Sequence, residues 1–360
     1  MLQSARIYVT PLHLKASSLL AGLTLLLVSA ISPAASATET FTGSDRIVLE
    51  DFIATVSIMT GDGADISVTI DNGSADKEPV QAEQNGNAVR LYSNEKPDQR
   101  TFWRKMDWQR HGKDAFKVFL EDYPVIQITV PEGTDLSLAG AAVHLTVGNI
   151  NGDVQIGNTL YVQGTVGNVK AADIRITGGG DLIFASVAED LEARIAGSGS
   201  LAFNNVQSAD LSIAGSGDID VKKIAGNFRA DIRGSGDIIT GDIEGESIFQ
   251  IAGSGDIEAG NVNGGADISI RGSGDIVINE LNGPSEIGIT GNGDVDIRRG
   301  RAEDLRVRIS GSGDFKFNGL ATNPDVSISG SGDVFIREYE GSVRTSGSGD
   351  IIIGDIRIDD

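Results

Sequence analysis

Aliphatic and polar residues alternate along much of the second half of the chain, in short runs separated by glycine-rich turns. Residues 267–271 read Asp-Ile-Ser-Ile-Arg, residues 272–274 are Gly-Ser-Gly, and residues 275–278 read Asp-Ile-Val-Ile. A period of two is typical of a β-strand with one buried face. The pattern therefore predicts pairs of strands joined by a tight turn, each with its isoleucines pointing inward.

This unit, Gly-x-Gly-Asp followed by an aliphatic residue, repeats in steps of 19, 18, 19, 19, 19, 19, 20, 19 and 17 residues. The residues at the Asp position are Asp181, Ser200, Asp218, Asp237, Asp256, Asp275, Asp294, Asp314, Asp333 and Asp350. A period near 20 indicates a solenoid, in which each repeat is one coil stacked on the last. One coil cannot bury its isoleucines, but coils stacked about 4.8 Å apart can.

The repeat thus predicts an all-β fold, a parallel β-helix (β-solenoid) with about 19 residues per coil. Right-handed coiling is expected from the general chirality of such connections. The turn glycines are expected to supply a positive φ in a corner that recurs in every coil. Residues 146–360 are assigned to this repeat.

Residues 44–145 form a strand-rich N-terminal segment, interpreted as early coils of the same rod or as its cap. The strands are predicted from β-branched or aromatic runs bounded by turn signals such as Asn-Gly. They lie at residues 47–49, 54–58, 66–70, 89–92, 116–120 and 125–130. The sequence predicts no amphipathic helix of normal length.

The first 37 residues are typical of an export signal. Arg6 and Lys15 precede an apolar stretch at 19–31, and Ala-Ser-Ala at 35–37 predicts cleavage after Ala37. The alternative is an uncleaved membrane anchor, which this apolar stretch is too short to form comfortably. An exported protein, in the periplasm or at the cell surface, is therefore expected.

The chain is strongly acidic, with 29 Lys and Arg against 51 Asp and Glu and a net charge of −22. Loss of the two signal cations brings the net charge to −24. Such a charge excludes nucleic acid and anionic lipid as expected partners. The sequence has no cysteine and three histidines, which excludes cysteine nucleophiles, disulfides and His-rich metal sites. No cofactor is expected.

The acidic column has two interpretations. In the first, each Asp accepts hydrogen bonds from the N–H groups of its own turn, which Ser200 would also do. In the second, the column binds cations such as calcium, as repeat-toxin β-rolls do through Gly-Gly-x-Gly-x-Asp. Here the Asp directly follows the second glycine, which favours the first interpretation. The cation-binding candidates are Asp218, Asp237, Asp256, Asp275 and Asp294.

Residues 97–119 are basic and aromatic in an otherwise acidic protein. They contain Trp103 and Trp108, the two tryptophans of the chain, next to Arg104 and Arg110. An aromatic loop of this kind suits the cover of an open end of a β-helix, and a role as such a cap or in packing is the favoured interpretation. The alternative is a contact patch for a glycan or a protein, with these four residues as the partner-binding candidates.

The chain resembles the auto-transporter adhesin head GIN domain family. The residues that carry the resemblance are Asp-Arg-Ile-Val at 45–48, Ile-Thr-Val-Pro at 128–131 and the serial Gly-Ser-Gly-Asp-Ile coils. It covers about residues 44–360. The resemblance implies a right-handed β-helix, an envelope or surface location and an adhesive role, and it brings no catalytic residues.

The expected function is that of an exported, non-enzymatic β-solenoid that acts as a surface adhesion or interaction module. Its expected partner is an envelope or surface glycan or protein, and the sequence leaves open whether the ends of the rod are capped or associate with another copy. One alternative is a periplasmic scaffold or a glycan- or protein-binding protein. Another is a polysaccharide-acting β-helix enzyme, against which the near-uniform coils argue because they form a surface and not a cleft.

Overall fold

The computed structural model of the chain describes residues 38–74 and 76–358. The expected export signal and its cleavage site after Ala37 lie outside the described residues. Within these ranges the chain forms 29 strands, three short α-helices and two 3-10 turns.

The strands are β1 Thr38–Phe41, β2 Arg46–Glu50, β3 Ile53–Thr60, β4 Ile66–Asp71, β5 Gln81–Asn85, β6 Ala88–Tyr92, β7 Val125–Val130, β8 Asp135–Ala139, β9 Ala142–Val147, β10 Val154–Gly157, β11 Tyr161–Val169, β12 Ala172–Ile176, β13 Asp181–Ile195, β14 Ser200–Ile213, β15 Ile219–Ile224, β16 Phe228–Ile232, β17 Ile238–Ile243, β18 Ser247–Ile251, β19 Ile257–Val262, β20 Ala266–Ile270, β21 Ile276–Ile289, β22 Val295–Ile297, β23 Gly300–Ile309, β24 Phe315–Thr322, β25 Asp325–Ile328, β26 Val334–Glu340, β27 Arg344–Gly347, β28 Ile351–Ile353 and β29 Ile356–Ile358. The helices are α1 Gln99–Lys105, α2 Trp108–His111 and α3 Ala115–Phe119, and the 3-10 turns are Gly112–Asp114 and Leu120–Asp122.

Parallel pairing between equivalent positions of successive coils builds two faces. Strands that follow the Gly-x-Gly turn form face A, where β15 pairs with β17 and β17 pairs with β19. Strands that precede the turn form face B, where β16 pairs with β18 and β18 pairs with β20. The register aligns Ile219, Ile238 and Ile257 in one column. The predicted parallel β-solenoid with about 19 residues per coil is confirmed.

The core is a continuous stack of aliphatic side chains between the two faces. Ile251, Ile270 and Ile289 follow one another in a column and are at most 1% exposed. Phe184 and Phe203 stack in the same core with ring centroids 4.9 Å apart. Each coil therefore buries its apolar side chains against the opposite face and against the coils above and below it.

The turn glycines serve close packing between coils. A Cβ at Gly272 would lie 1.9 Å from the carbonyl oxygen of Gly253 in the preceding coil, and neither glycine has a positive φ. The expectation that a positive φ recurs in every turn is therefore wrong. Glycine is required there because the backbones of neighbouring turns approach too closely for any side chain.

The first coils are stacked in an order that differs from the chain order. The coil of β2 and β3 lies between the coil of β6 and β7 and the coil of β8 and β9. The strands of residues 44–145 thus pair within the same two faces as the repeats. At this end of the rod, β1 pairs antiparallel with β4, β4 with β7, and β5 with β6.

All three α-helices lie between β6 and β7, where the repeat coils have a Gly-x-Gly turn. The prediction of a strand at residues 116–120 is wrong, because this stretch lies mainly in α3. Phe116 and Leu120 are both buried while Lys117 and Val118 are exposed. Burial at a spacing of four residues is the pattern of a helix that covers a surface on one side.

Candidate functional site

The candidate site is the helical insert, defined as residues 93–124. Aspartates fix the start of its first two helices, since Asp98 Oδ1 accepts from the Thr101 N–H at 2.8 Å and Asp107 Oδ1 accepts from the Arg110 N–H at 3.0 Å. These are N-caps, which satisfy otherwise unpaired N–H groups. The hydrogen bonds from Thr101 lower the pKa of Asp98.

The insert is held by an apolar cluster on the outer side of face A. Phe102 and Phe116 pack against Ala142 and Tyr161, whose side chains point away from the solenoid core. The Phe116 and Tyr161 ring centroids are 4.6 Å apart. Burial, with a smaller contribution from Asp181, raises the pKa of Tyr161 to about 12. The insert therefore packs on the side of the first coils, which is the packing role that the sequence favoured beside that of an end cover.

The four predicted partner-binding residues lie together on the insert. The Trp103 and Trp108 rings stack with centroids 6.5 Å apart, and each also packs against Tyr161, at 6.0 Å and 5.9 Å. Both indoles are half-buried, while Arg104 and Arg110 are exposed. The aromatic residues thus combine a packing role with a partly open surface that is flanked by cations.

Tyr161 is the central residue of this cluster, and the sequence reasoning missed it. The signal was a large aromatic side chain at an outward position of β11, next to the inward Val162. An outward aromatic residue on a strand exposes a large apolar area unless another part of the chain covers it.

A cleft of about 290 Å³ separates the insert from residues 76–78. Phe52, Phe102 and Tyr123 are among its apolar lining residues. On its rim, Lys77 Nζ lies 3.2 Å from an Asp76 carboxylate oxygen and 5.0 Å from the centroid of the Tyr123 ring. Because charges of both signs line the rim, the cleft has no strong preference for an ion of either sign.

The acidic column forms a hydrogen-bonded ladder that links the coils. Asp218 Oδ1 accepts from the Asp237 N–H at 3.0 Å, Asp237 Oδ1 from the Asp256 N–H at 2.8 Å, and Asp256 Oδ1 from the Asp275 N–H at 2.7 Å. The series continues through Asp294 at 2.8 Å. The donor belongs to the next coil, so the expectation that each Asp accepts from its own turn is wrong.

Apart from the acidic column, the described ranges offer little that could bind a cation. No group of three or more His, Cys, Asp or Glu side chains is placed there to hold a metal ion. The predicted calcium site on the column remains a prediction, with one carboxylate oxygen of each ladder residue already used as an acceptor. No helix in residues 38–74 and 76–358 has the length and apolarity to span a membrane.

Comparison with family models identifies the protein family of this solenoid. The Toastrack family model matches residues 44–282, which is more than half of the 360-residue chain. The chain belongs to the Toastrack family. A second model, described as "Putative auto-transporter adhesin, head GIN domain", matches residues 267–356. The resemblance to the head GIN domain family is thus confirmed, over the C-terminal coils of this Toastrack protein.

Three solved structures are similar to this Toastrack chain. A putative adhesin from Bacteroides fragilis is 15% identical, with a TM-score of 0.22 and coverage of 89% of this chain and 97% of its own. A putative lipid binding protein from Parabacteroides distasonis is 16% identical, with a TM-score of 0.19 and the same two coverages, 89% and 97%. A putative cell adhesion protein from Clostridium sporogenes is 8% identical, with a TM-score of 0.16 and coverages of 88% and 100%. Among curated proteins, none matches the chain significantly.

Proposed function

We propose that this Toastrack protein is an exported, non-enzymatic adhesion module, and that the helical insert is the patch that contacts its partner. The match of its C-terminal coils to the adhesin head GIN domain supports the adhesive role. The observation that carries the proposal is the insert itself. It holds all three α-helices of the described residues on the side of an otherwise regular β-solenoid, and departures from a regular scaffold are where binding residues concentrate.

The chemistry of the insert suits a glycan or protein partner. Half-buried indoles offer flat apolar surface at a low entropy cost, and they are fixed in place by edge-to-face and tilted contacts with Tyr161. Arg104 and Arg110 project beside them and provide donors for carboxylate, hydroxyl or carbonyl oxygens. The partner is therefore neutral or acidic at its point of contact, and the solenoid acts as the rigid support of the patch.

Charge reversal at the patch tests this role without disturbing the aromatic packing. The Arg104→Glu, Arg110→Glu double variant is compared with wild type for binding to an array of immobilised glycans and for retention on intact bacterial cells. The matched control is Arg298→Glu, Lys316→Glu, which makes the same change in net charge at the exposed residue that follows β22 and at an exposed position of β24. Binding should fall about tenfold or more in the insert variant alone, as expected for arginines at the centre of an interface.

Two results would contradict the proposal. Equal loss in both double variants would mean that total charge controls binding, and equal retention would remove the insert from the contact. Location is tested separately by treating intact cells with a protease. Degradation without opening the envelope supports a surface adhesin, whereas full protection favours a periplasmic scaffold.

A further inference from the structure

His144 lies at the border of the helical insert, on the outer side of face A. Along β9 the outward side chains pass from the fully buried Ala142, through the half-buried His144, to the exposed Thr146. Because the insert packs on Ala142, His144 lies at the edge of the surface that the insert covers. From α3, Lys117 is close enough to act electrostatically on that ring.

The groups around His144 favour the neutral form of its imidazole ring over the protonated form. Its Nδ1 atom is buried and has no hydrogen-bond partner. The side chains beside it on the neighbouring strands are the uncharged Thr55 and Gln163. In the described part of the chain, Lys117 is the charged group that acts on the ring. Protonation would put an N–H on the buried Nδ1, which has no acceptor, and would place a positive charge within the electrostatic reach of that lysine.

We propose that His144 is a pH-sensitive latch for the insert, which docks on face A over the neutral ring and loosens when the ring is protonated. Burial first, and Lys117 second, lower the pKa of His144 from its ordinary value of 6.5. Because the docked state has the lower pKa, docking is fully stabilised above pH 6.5 and loses stability as the pH falls below that value. The biological meaning of the latch rests on the proposed function, since the insert is the proposed contact patch.

Tryptophan emission tests the latch directly, because both tryptophans of the chain lie in the insert. Emission and far-UV circular dichroism of the purified protein are recorded from about pH 7.5 to about pH 5, across the range in which histidine titrates. The emission maximum should move to longer wavelength below pH 6.5 while the strand signal is unchanged. His144→Gln should abolish this shift. His111→Gln, at the other histidine of the described residues, is the matched control and should retain it.

An emission maximum that stays constant in the wild type overturns the proposal, as does a shift that survives in His144→Gln or disappears in His111→Gln. If His144→Gln by itself releases the insert at neutral pH, the Lys117→Gln variant provides the test instead. This variant removes one of the two causes that oppose protonation, so its shift should be smaller than that of the wild type. A shift equal to that of the wild type then overturns the latch. The emission assay needs no partner, so it tests the latch independently of whether the insert binds a partner.

Discussion

Replacing Gly272 by alanine tests whether the coils are held at a spacing that only glycine permits. The new Cβ would lie 1.9 Å from the Gly253 carbonyl oxygen and 3.0 Å from its carbonyl carbon. Since carbon–oxygen contacts are normally about 3.3 Å or longer, the two turns would have to separate by roughly 1 Å or more. That movement strains the hydrogen bonds that flank the turn, from Arg271 N to Ile251 O at 2.7 Å and from Ser273 N to Gly253 O at 3.1 Å.

Loss of two backbone hydrogen bonds costs about 2 kcal/mol, and looser packing of the adjoining isoleucines brings the expected loss to about 2–4 kcal/mol. The assay is urea denaturation followed by far-UV circular dichroism, with the midpoint compared between variants. Gly157→Ala is the control, because a Cβ at that position meets nothing within 4 Å. It should be neutral or stabilising by up to about 1 kcal/mol. A Gly272→Ala variant within about 0.5 kcal/mol of wild type would refute the close-approach argument.

Three further predictions address the core, the ladder and the insert. Ile270→Asp buries an unpaired carboxylate and should lower the free energy of unfolding by about 3–5 kcal/mol, whereas the exposed Arg271→Ala should change it by less than about 0.5 kcal/mol in urea denaturation. Asp256→Ala removes the acceptor of one ladder bond and should cost about 1 kcal/mol, while Asp256→Asn keeps an acceptor oxygen and should cost less. A chelator separates this role from calcium, since a melting temperature that falls on chelation requires a cation site. In an absorbance titration, the difference between wild type and Tyr161→Phe should show a phenol with a pKa of about 12. Because the pKa of Tyr161 is raised in the folded state, the neutral phenol stabilises the fold below pH 10, and this stabilisation is lost as the pH rises above 10. A phenol that titrates at 10 would contradict the burial of Tyr161.

The solenoid was predictable because its signal is local and repeated. Alternation around each Gly-x-Gly turn identifies the inward positions, and the step of about 19 residues places Ile219, Ile238 and Ile257 in one column before any pairing is known. Neither feature depends on contacts between distant parts of the chain. Ten stacked versions of one pattern therefore leave few alternatives to a parallel β-helix.

The features that the sequence did not predict depend on which segments meet. The donor to each ladder carboxylate could not be assigned from the turn alone, because the competing N–H groups of its own turn and of the next coil differ only in three-dimensional geometry. Phe116 in α3 and Leu120 at its C-cap adopt helical conformations because Tyr161 and Ala142, far along the chain, provide the surface that they cover. The β-propensity of these residues contains no information about that surface.

The placement of the β2–β3 coil between two others affects how the rod resists a pulling force. Tension on the chain ahead of residue 38 first peels β1 from its antiparallel neighbour β4. It then acts on β2 and β3, each of which is hydrogen-bonded on both sides. A terminal coil would unzip from one neighbour, bond by bond, but this coil has to be drawn out against two ladders on each face at once. The strand order thus makes the N-terminal end of the rod resistant to unfolding by a pulling force.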